Sequence, residues 1–233
     1  AKGYRSGTVD PALAIGCDSP YLLPPNTVWS YEIGAKNELV GGRAHLEVSI
    51  FHIQWNYEQP GPTAASDGFE LTAQAPLTQR LRTAVALAYT DAHYTQTVVV
   101  GDAVIFRSGD AVGALPQVAA PWNVTSSIDY QFPLSSDLTA ELRAEDIFHS
   151  RNPGPFAPSP DTPGLRPDPS INMLNLRATA RWPHFDLSLF VNNALDSQPT
   201  LGLTPLSFST GSTRFYAVTF RPRTVGLTAN WRY

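Results

Sequence analysis

Along most of the chain apolar and polar residues alternate singly, a pattern that puts successive side chains on opposite faces of an extended strand. The alternation is cleanest at the end. There Val225, Leu227, Ala229, Trp231 and Tyr233 share one face, and Thr224, Gly226, Thr228, Asn230 and Arg232 share the other. After a short opening piece, the same reading predicts strands over Thr27 to Leu39, Arg43 to Tyr57, Gly68 to Ala75, Arg80 to about Gln96 and Pro121 to Phe132. Further strands are expected over Leu138 to about His149, Ile171 to Trp182 and Phe185 to Val191, with a closing strand that starts near Tyr216. The total is about ten strands, an all-β chain. One segment changes phase: Leu46, Val48 and Ile50 have one parity, while Phe51, Ile53, Trp55 and Tyr57 have the other. Either a bulge shifts the register or these rings point to the polar side.

The connections alternate long and short. The short ones are 40–42, 76–79, 133–137 and 183–184. Antiparallel barrels of outer membranes have this asymmetry, with short periplasmic turns and long extracellular loops. In that frame the closing strand runs toward the periplasm and Tyr233 ends at its rim. The loops 8–26, 97–118, 150–169 and 195–215 are then the candidates for ligand capture, because binding residues are commonly carried on loops held by a rigid scaffold.

Charge follows the same parity. Glu32, Lys36, Glu47, Glu70, Arg82, Asp129, Glu141, Arg143, Arg177, Arg181, Asp186 and Arg232 all fall opposite the apolar residues of their strands. A basic side chain facing lipid at the bilayer midplane costs about 2–4 kcal/mol, so the charged face belongs toward an aqueous or plugged lumen. Glu32, Glu70, Arg82, Glu141, Arg143, Arg177 and Arg181 are therefore the lumen-facing candidates for contact with a plug or a solute. Cross-strand ion pairing is their plainer role. Asp91 and Asp146 break the parity near the loop ends of their strands. Trp29, Tyr89, Trp122 and Phe148 near the outer ends, with Tyr130, Phe132, Trp182, Phe185, Trp231 and Tyr233 near the inner ends, fit two aromatic girdles. Parity alone leaves alternatives open: a small closed outer-membrane barrel with a structural or adhesive role, or a soluble sandwich or lipocalin-like barrel whose apolar parity is the interior.

Composition narrows the function classes. No apolar run is long enough for a transmembrane helix, which does not exclude a barrel, whose strands carry a weaker signal. A net charge of -4 with 15% charged residues provides no basic stripe for nucleic acid. Cys17 is the sole cysteine, so an internal disulfide and a Cys-based metal cluster are excluded, leaving a free loop thiol or a partner in other sequence. Residues Ala1 to Gly7 contain no apolar leader core. His45, His52, His93, His149 and His184 show no metal-ligand spacing; Asp91 with His93 is the nearest approach to a pair. No nucleophile elbow, phosphate loop or dinucleotide fingerprint is present, so neither an enzyme nor a cofactor is expected. Asn123-Val124-Thr125 matches a glycosylation acceptor but falls within a strand.

The wording of several segments resembles the TonB-dependent outer-membrane receptors. Ala1-Lys2-Gly3-Tyr4-Arg5-Ser6-Gly7 followed by Trp29-Ser30-Tyr31-Glu32-Ile33-Gly34-Ala35-Lys36 is similar to a pair of adjacent strands in that family. Gly68-Phe69-Glu70-Leu71, Val191-Asn192-Asn193-Ala194-Leu195-Asp196 and Pro222-Arg223-Thr224-Val225-Gly226-Leu227 resemble its later strands. The resemblance implies a barrel of about 22 strands filled by an N-terminal plug domain. It also implies import of a scarce small-molecule solute (an iron-siderophore complex, cobalamin or a saccharide) with energy delivered by TonB, in the outer membrane of a Gram-negative bacterium. The plug, the TonB box and more than half of the strands are missing from these residues. The chain therefore reads as the C-terminal part of such a barrel, with 1–233 one partial barrel domain, and contacts to plug and TonB belong to the full-length protein. The resemblance further makes Trp231 and Tyr233 part of a terminal signal read by the barrel-insertion machinery, with outer-membrane lipid around the apolar face.

Overall fold

The computed structural model describes residues 1–9, 22–23, 25–57, 63–100, 102–112, 120–151, 169–199, 202–207 and 213–232. Strands β1 (Lys2–Arg5), β2 (Thr8–Val9), β3 (Leu22–Leu23), β4 (Asn26–Leu39), β5 (Ala44–Tyr57), β6 (Ala64–Pro76) and β7 (Leu81–Tyr94) come first. They are followed by β8 (Val98–Val100), β9 (Ala103–Phe106), β10 (Trp122–Pro133), β11 (Thr139–His149), β12 (Ile171–Arg181), β13 (Phe185–Asn192), β14 (Gly202–Ser207), β15 (Thr213–Val218) and β16 (Thr224–Trp231). Ten of these form one sheet in the order β1-β4-β5-β6-β7-β10-β11-β12-β13-β16, and each neighbouring pair is antiparallel. The other six pair locally as β2–β3, β8–β9 and β14–β15 inside the long connections.

The turns at one end are tight and closed by the backbone. Val40, Gly41 and Gly42 all take positive φ, the hand a short hairpin needs. Leu77 N donates to Leu81 O, Leu134 N to Leu138 O and Trp182 N to Phe185 O, each at 2.8 Å. The long connections all leave the opposite end, as the alternation of lengths predicts.

Register settles the phase change in β5. His45 to Trp55 pair with Gln74 to Ala64 of β6 without interruption. No bulge intervenes, and Phe51, Ile53 and Trp55 stand on the polar side with Glu47 and Ser49. Two boundaries differ from expectation. β6 begins at Ala64 rather than Gly68, because Ala64, Ala65, Ser66 and Asp67 lack the apolar alternation that marks a strand. The closing strand begins at Thr224 rather than near Tyr216, since 213–218 form β15, the second arm of a hairpin within the preceding loop.

Direct partners point to the same side of a sheet, so the pairing carries one polar face through all ten strands. The opposite face is apolar, and no second layer covers it among the described residues. Ile33, Ile50, Ile128, Leu142, Leu189, Val225 and Leu227 on it are exposed, Leu227 by 65%. The buried apolar residues among those described are only Ala44, Ala64, Ala65 and Tyr94. A soluble sandwich or lipocalin-like barrel would enclose that face, and none of the described residues does so. Aromatic rings band the apolar face at two levels. Trp29 stacks with Tyr31, and Phe69, Tyr89 and Trp122 cluster at the loop end. Tyr130 packs on Phe132, and Phe185 on Trp182 and Trp231, at the turn end. Between the bands, Ala144 and Ala178 leave a shallow groove bounded by Ile128, Leu142, Leu176 and Leu189.

Candidate functional site

The polar face is organised around Arg143. Its guanidinium donates Nη1–H to both oxygens of Asp129 at 3.0 and 3.1 Å and Nη2–H to Glu145 at 3.1 Å. β11 sets Arg143 opposite Asp129 of β10, and Glu145 lies two residues along the same face. Below it, Arg181 pairs with Glu141 at 3.0 Å, and Glu141 also accepts from Gln131. At the inner end Arg232 meets Asp186 at 2.7 Å. Thr179 and Ser188 share a hydroxyl hydrogen bond of 2.9 Å and are buried. On the polar face of the N-terminal half of the sheet the one such pair among the described residues is Lys36–Glu47, at 2.5 Å and well exposed.

Of the predicted lumen residues, the structure brings Glu141, Arg143 and Arg181 into this ladder. Glu32, Glu70, Arg82 and Arg177 stand on the same face, opposite Phe51, Ser49, Asp129 and Arg143 respectively, and none of the four has an ion-pair partner among the described residues. Cross-strand pairing thus accounts for part of the set. Phe51, Ile53 and Trp55 add an aromatic and aliphatic surface to the outer half of the polar face.

The ladder continues upward to the loop end. Glu145 accepts from Asn175 Nδ2 at 3.4 Å, and Asn175 Oδ1 accepts from Asn193 N at 3.0 Å. Asn193 is the knot at the base of the last loop. It is 2% exposed and holds a φ of 52°. Its Nδ2 donates to Ser197 O and Arg221 O at 2.9 and 3.0 Å, while its Oδ1 accepts from Ser197 N at 2.8 Å. Asp196 ties the other limb, accepting from Arg223 N at 2.9 Å and from Gln198 at 3.3 Å. Those two bonds hold its carboxyl below the usual range, the Arg223 N–H contributing most. Sequence reasoning missed this knot. The consecutive asparagines followed by Asp196 were its only local signal, a turn composition with a left-handed tolerance.

On the apolar face near the loop ends, His52 Nδ1 lies 2.6 Å from Asp67, and His93 lies 3.8 Å from Asp91. Asp67 and Asp91 stand opposite each other on β6 and β7. The expected Asp91–His93 pair is therefore the looser of two. No group of three or more His, Cys, Asp or Glu able to hold a metal occurs among the described residues. Of the four candidate loops, only parts of 8–26, 97–118, 150–169 and 195–215 are described, and Cys17 and Tyr233 lie outside the described residues. Trp231 packs on Phe185 in the inner aromatic band.

The arrangement is a wall with cations, carboxylates and rings on one face and, among the described residues, an uncovered apolar surface on the other. The chain aligns with the ferric yersiniabactin uptake receptor FyuA from Yersinia pestis over 99% of its own length and 34% of that chain, at 15% identity and a TM-score of 0.66. It aligns with BauA, the ferric preacinetobactin receptor from Acinetobacter baumannii, over 98% of its length and 32% of that chain, at 14% identity and a TM-score of 0.64. The ferripyoverdine receptor of the outer membrane of Pseudomonas aeruginosa aligns over 90% of this chain and 27% of its own, at 18% identity and a TM-score of 0.56. The chain thus spans about a third of the length of these receptors. No curated protein matches it in sequence. Residues 1–194 match the family described as TonB dependent receptor-like, beta-barrel, and the chain belongs to that family.

Proposed function

We propose that this chain is the C-terminal part of an outer-membrane barrel of a Gram-negative bacterium, forming one partial barrel domain over 1–233, and that the full-length protein imports an iron-siderophore complex. The observation that carries the reading is the two-faced sheet: ten antiparallel strands with an uncovered apolar face, an ion-paired polar face and aromatic bands at two levels. Lipid is the one solvent in which an apolar face of this extent needs no second layer. Packing within the ion-paired part of the polar side supports the same reading: Glu141, held by Arg181 and Gln131, is 13% exposed at its side chain, while its chain neighbour Leu142 on the other face is 48% exposed.

The solute class is supported by the three receptors above, each named for an iron-siderophore complex. In the full-length protein a plug domain fills the barrel and TonB supplies the energy. Binding residues come from the loops 8–26, 97–118, 150–169 and 195–215 and from the polar wall, with Glu32, Glu70, Arg82, Glu141, Arg143, Arg177 and Arg181 facing the lumen. Trp231 and Tyr233 form the terminal signal for the insertion machinery. Among the described residues the sheet has two unpaired edges, β1 with the lower part of β4 on one side and β16 on the other, and bilayer hydrocarbon does not tolerate unpaired strand edges. The full-length barrel closes them with further strands.

The test uses cells in which the full-length gene is deleted or restored. Uptake of iron-55 carried by yersiniabactin, preacinetobactin or pyoverdine is followed with and without TonB. Restored uptake of at least one complex that is lost without TonB is the expected result. Equal uptake of all three in deleted and restored cells, or recovery of the full-length protein in the soluble fraction, overturns the reading.

A further inference from the structure

Four arginines and four carboxylates stand on the polar face from β10 to the end of the described chain: Arg143, Arg177, Arg181 and Arg232 against Asp129, Glu141, Glu145 and Asp186. The charges balance, yet the pairs do not come out even. Arg143 holds both Asp129 and Glu145, Arg181 holds Glu141, and Arg232 holds Asp186. Among the described residues Arg177 is left without an ion-pair partner, as is Arg82 on β7, opposite Asp129. It stands directly opposite Arg143, a like-charge pairing that by itself disfavours this register. The double capture of carboxylates by Arg143 offsets that repulsion and at the same time removes the acids Arg177 would use.

Arg177 is nonetheless held in place. Its guanidinium carbon lies 5.4 Å from the centre of the Phe190 ring, its direct partner on β13. The ring in turn lies across Gly226, its direct partner on β16, so closely that a Cβ there would run into it. Three adjacent strands thus contribute a floor, a ring and a cation. A guanidinium on an aromatic face keeps its hydrogen-bonding edge free, is weakly hydrated, and matches a carboxylate with two parallel donors.

We propose that Arg177, seated on Phe190 over Gly226, is a binding site for a carboxylate that does not belong to the wall itself. The carboxylate comes either from a side chain of the domain that fills the lumen or from a carboxylate-bearing solute. The inference rests on the reading of the polar face as a lumen. Arg177→Met keeps the stem over Phe190 and removes the donors, while Arg177→Lys keeps the charge and loses the two-pronged geometry.

The experiment uses the full-length protein in detergent and in planar bilayers, with citrate as the carboxylate probe and sodium chloride at equal ionic strength as its control. If a solute supplies the carboxylate, citrate raises the wild-type melting temperature above the chloride control. That rise is lost in Arg177→Met and reduced in Arg177→Lys. If the lumen domain supplies it, citrate has no such effect, and Arg177→Met lowers the urea concentration at which the barrel begins to conduct ions, with partial recovery in Arg177→Lys. Wild-type behaviour of Arg177→Met in both measurements, with heat-modifiable gel mobility retained, overturns the site and leaves the barrel reading standing. Absence of heat-modifiable mobility in the wild type overturns the barrel reading and the site together.

Discussion

At Asn193 one side chain ties together three stretches of chain: the end of β13, the turn at Ser197 and the approach to β16 at Arg221. An alanine there removes three part-buried hydrogen bonds, to two carbonyls and an N–H that water can partly reach, each contributing about 0.5–1.5 kcal/mol. Asn193→Gly isolates that loss, because glycine accepts the positive φ freely. Both variants should open the loop base to protease in the full-length protein, alanine more than glycine, while the barrel keeps its heat-modifiable mobility. Asp196 provides the pH-dependent half of the same knot. Its folded carboxyl is held below the ordinary value of 3.8, so its contribution is complete above that value. As pH falls through the lower folded value, the carboxylate protonates and the bonds from Arg223 and Gln198 lose their charge assistance and weaken. Pepsin cleavage between 196 and 223 should therefore rise only below the ordinary carboxylate range, and Asp196→Asn should flatten that dependence. A cleavage rate that rises in the same way in Asp196→Asn assigns the pH effect elsewhere.

Strands were legible where alternation was strict, and β4, β10, β11, β12 and β13 stand within a residue or two of expectation. Elements escaped where their stabilisation is not amphipathic. β6 starts early on Ala64 and Ala65, which are buried yet too small to mark a face, and β14 and β15 pair with each other, so no long apolar stripe announces them. The phase change in β5 was visible, but its resolution depends on what lies opposite: Gly68 stands across from Phe51 and leaves its ring room on the polar face. Gly226 does the same for Phe190, and there the element-level claim is testable. Gly226→Ala forces the ring off its seat and should cost about 1–3 kcal/mol, the usual range for overpacking. Phe190→Leu removes part of the obstacle, so the double variant should lose less than the sum of the singles. Additive urea midpoints, measured on the full-length protein in detergent micelles, would falsify the stacking.

Parity in the sequence divided the residues into two faces but left inside and outside exchangeable, because alternation is symmetric until something covers one face. Among the described residues the apolar face is the uncovered one, and the tryptophans offer a direct test of orientation. Trp29 and Trp122 lie in the loop-end band, and Trp182 and Trp231 in the turn-end band, all on the apolar face. Trp55 alone stands on the polar face, opposite Val28 and Ala64. A barrel with lipid outside therefore separates the five tryptophans into four that touch acyl chains and one that does not. Single-tryptophan variants of the full-length protein, the other positions filled by phenylalanine, are reconstituted in vesicles whose lipids carry bromine near the carbonyl end of the chains. Trp29, Trp122, Trp182 and Trp231 should be quenched and Trp55 should retain its emission. Interfacial tryptophans sit at the headgroup level, so bromine near the carbonyls should quench these four more than bromine at the chain ends. Quenching of Trp55 with the other four protected would place lipid on the charged face and overturn the orientation, while equal protection of all five would remove the chain from the bilayer altogether.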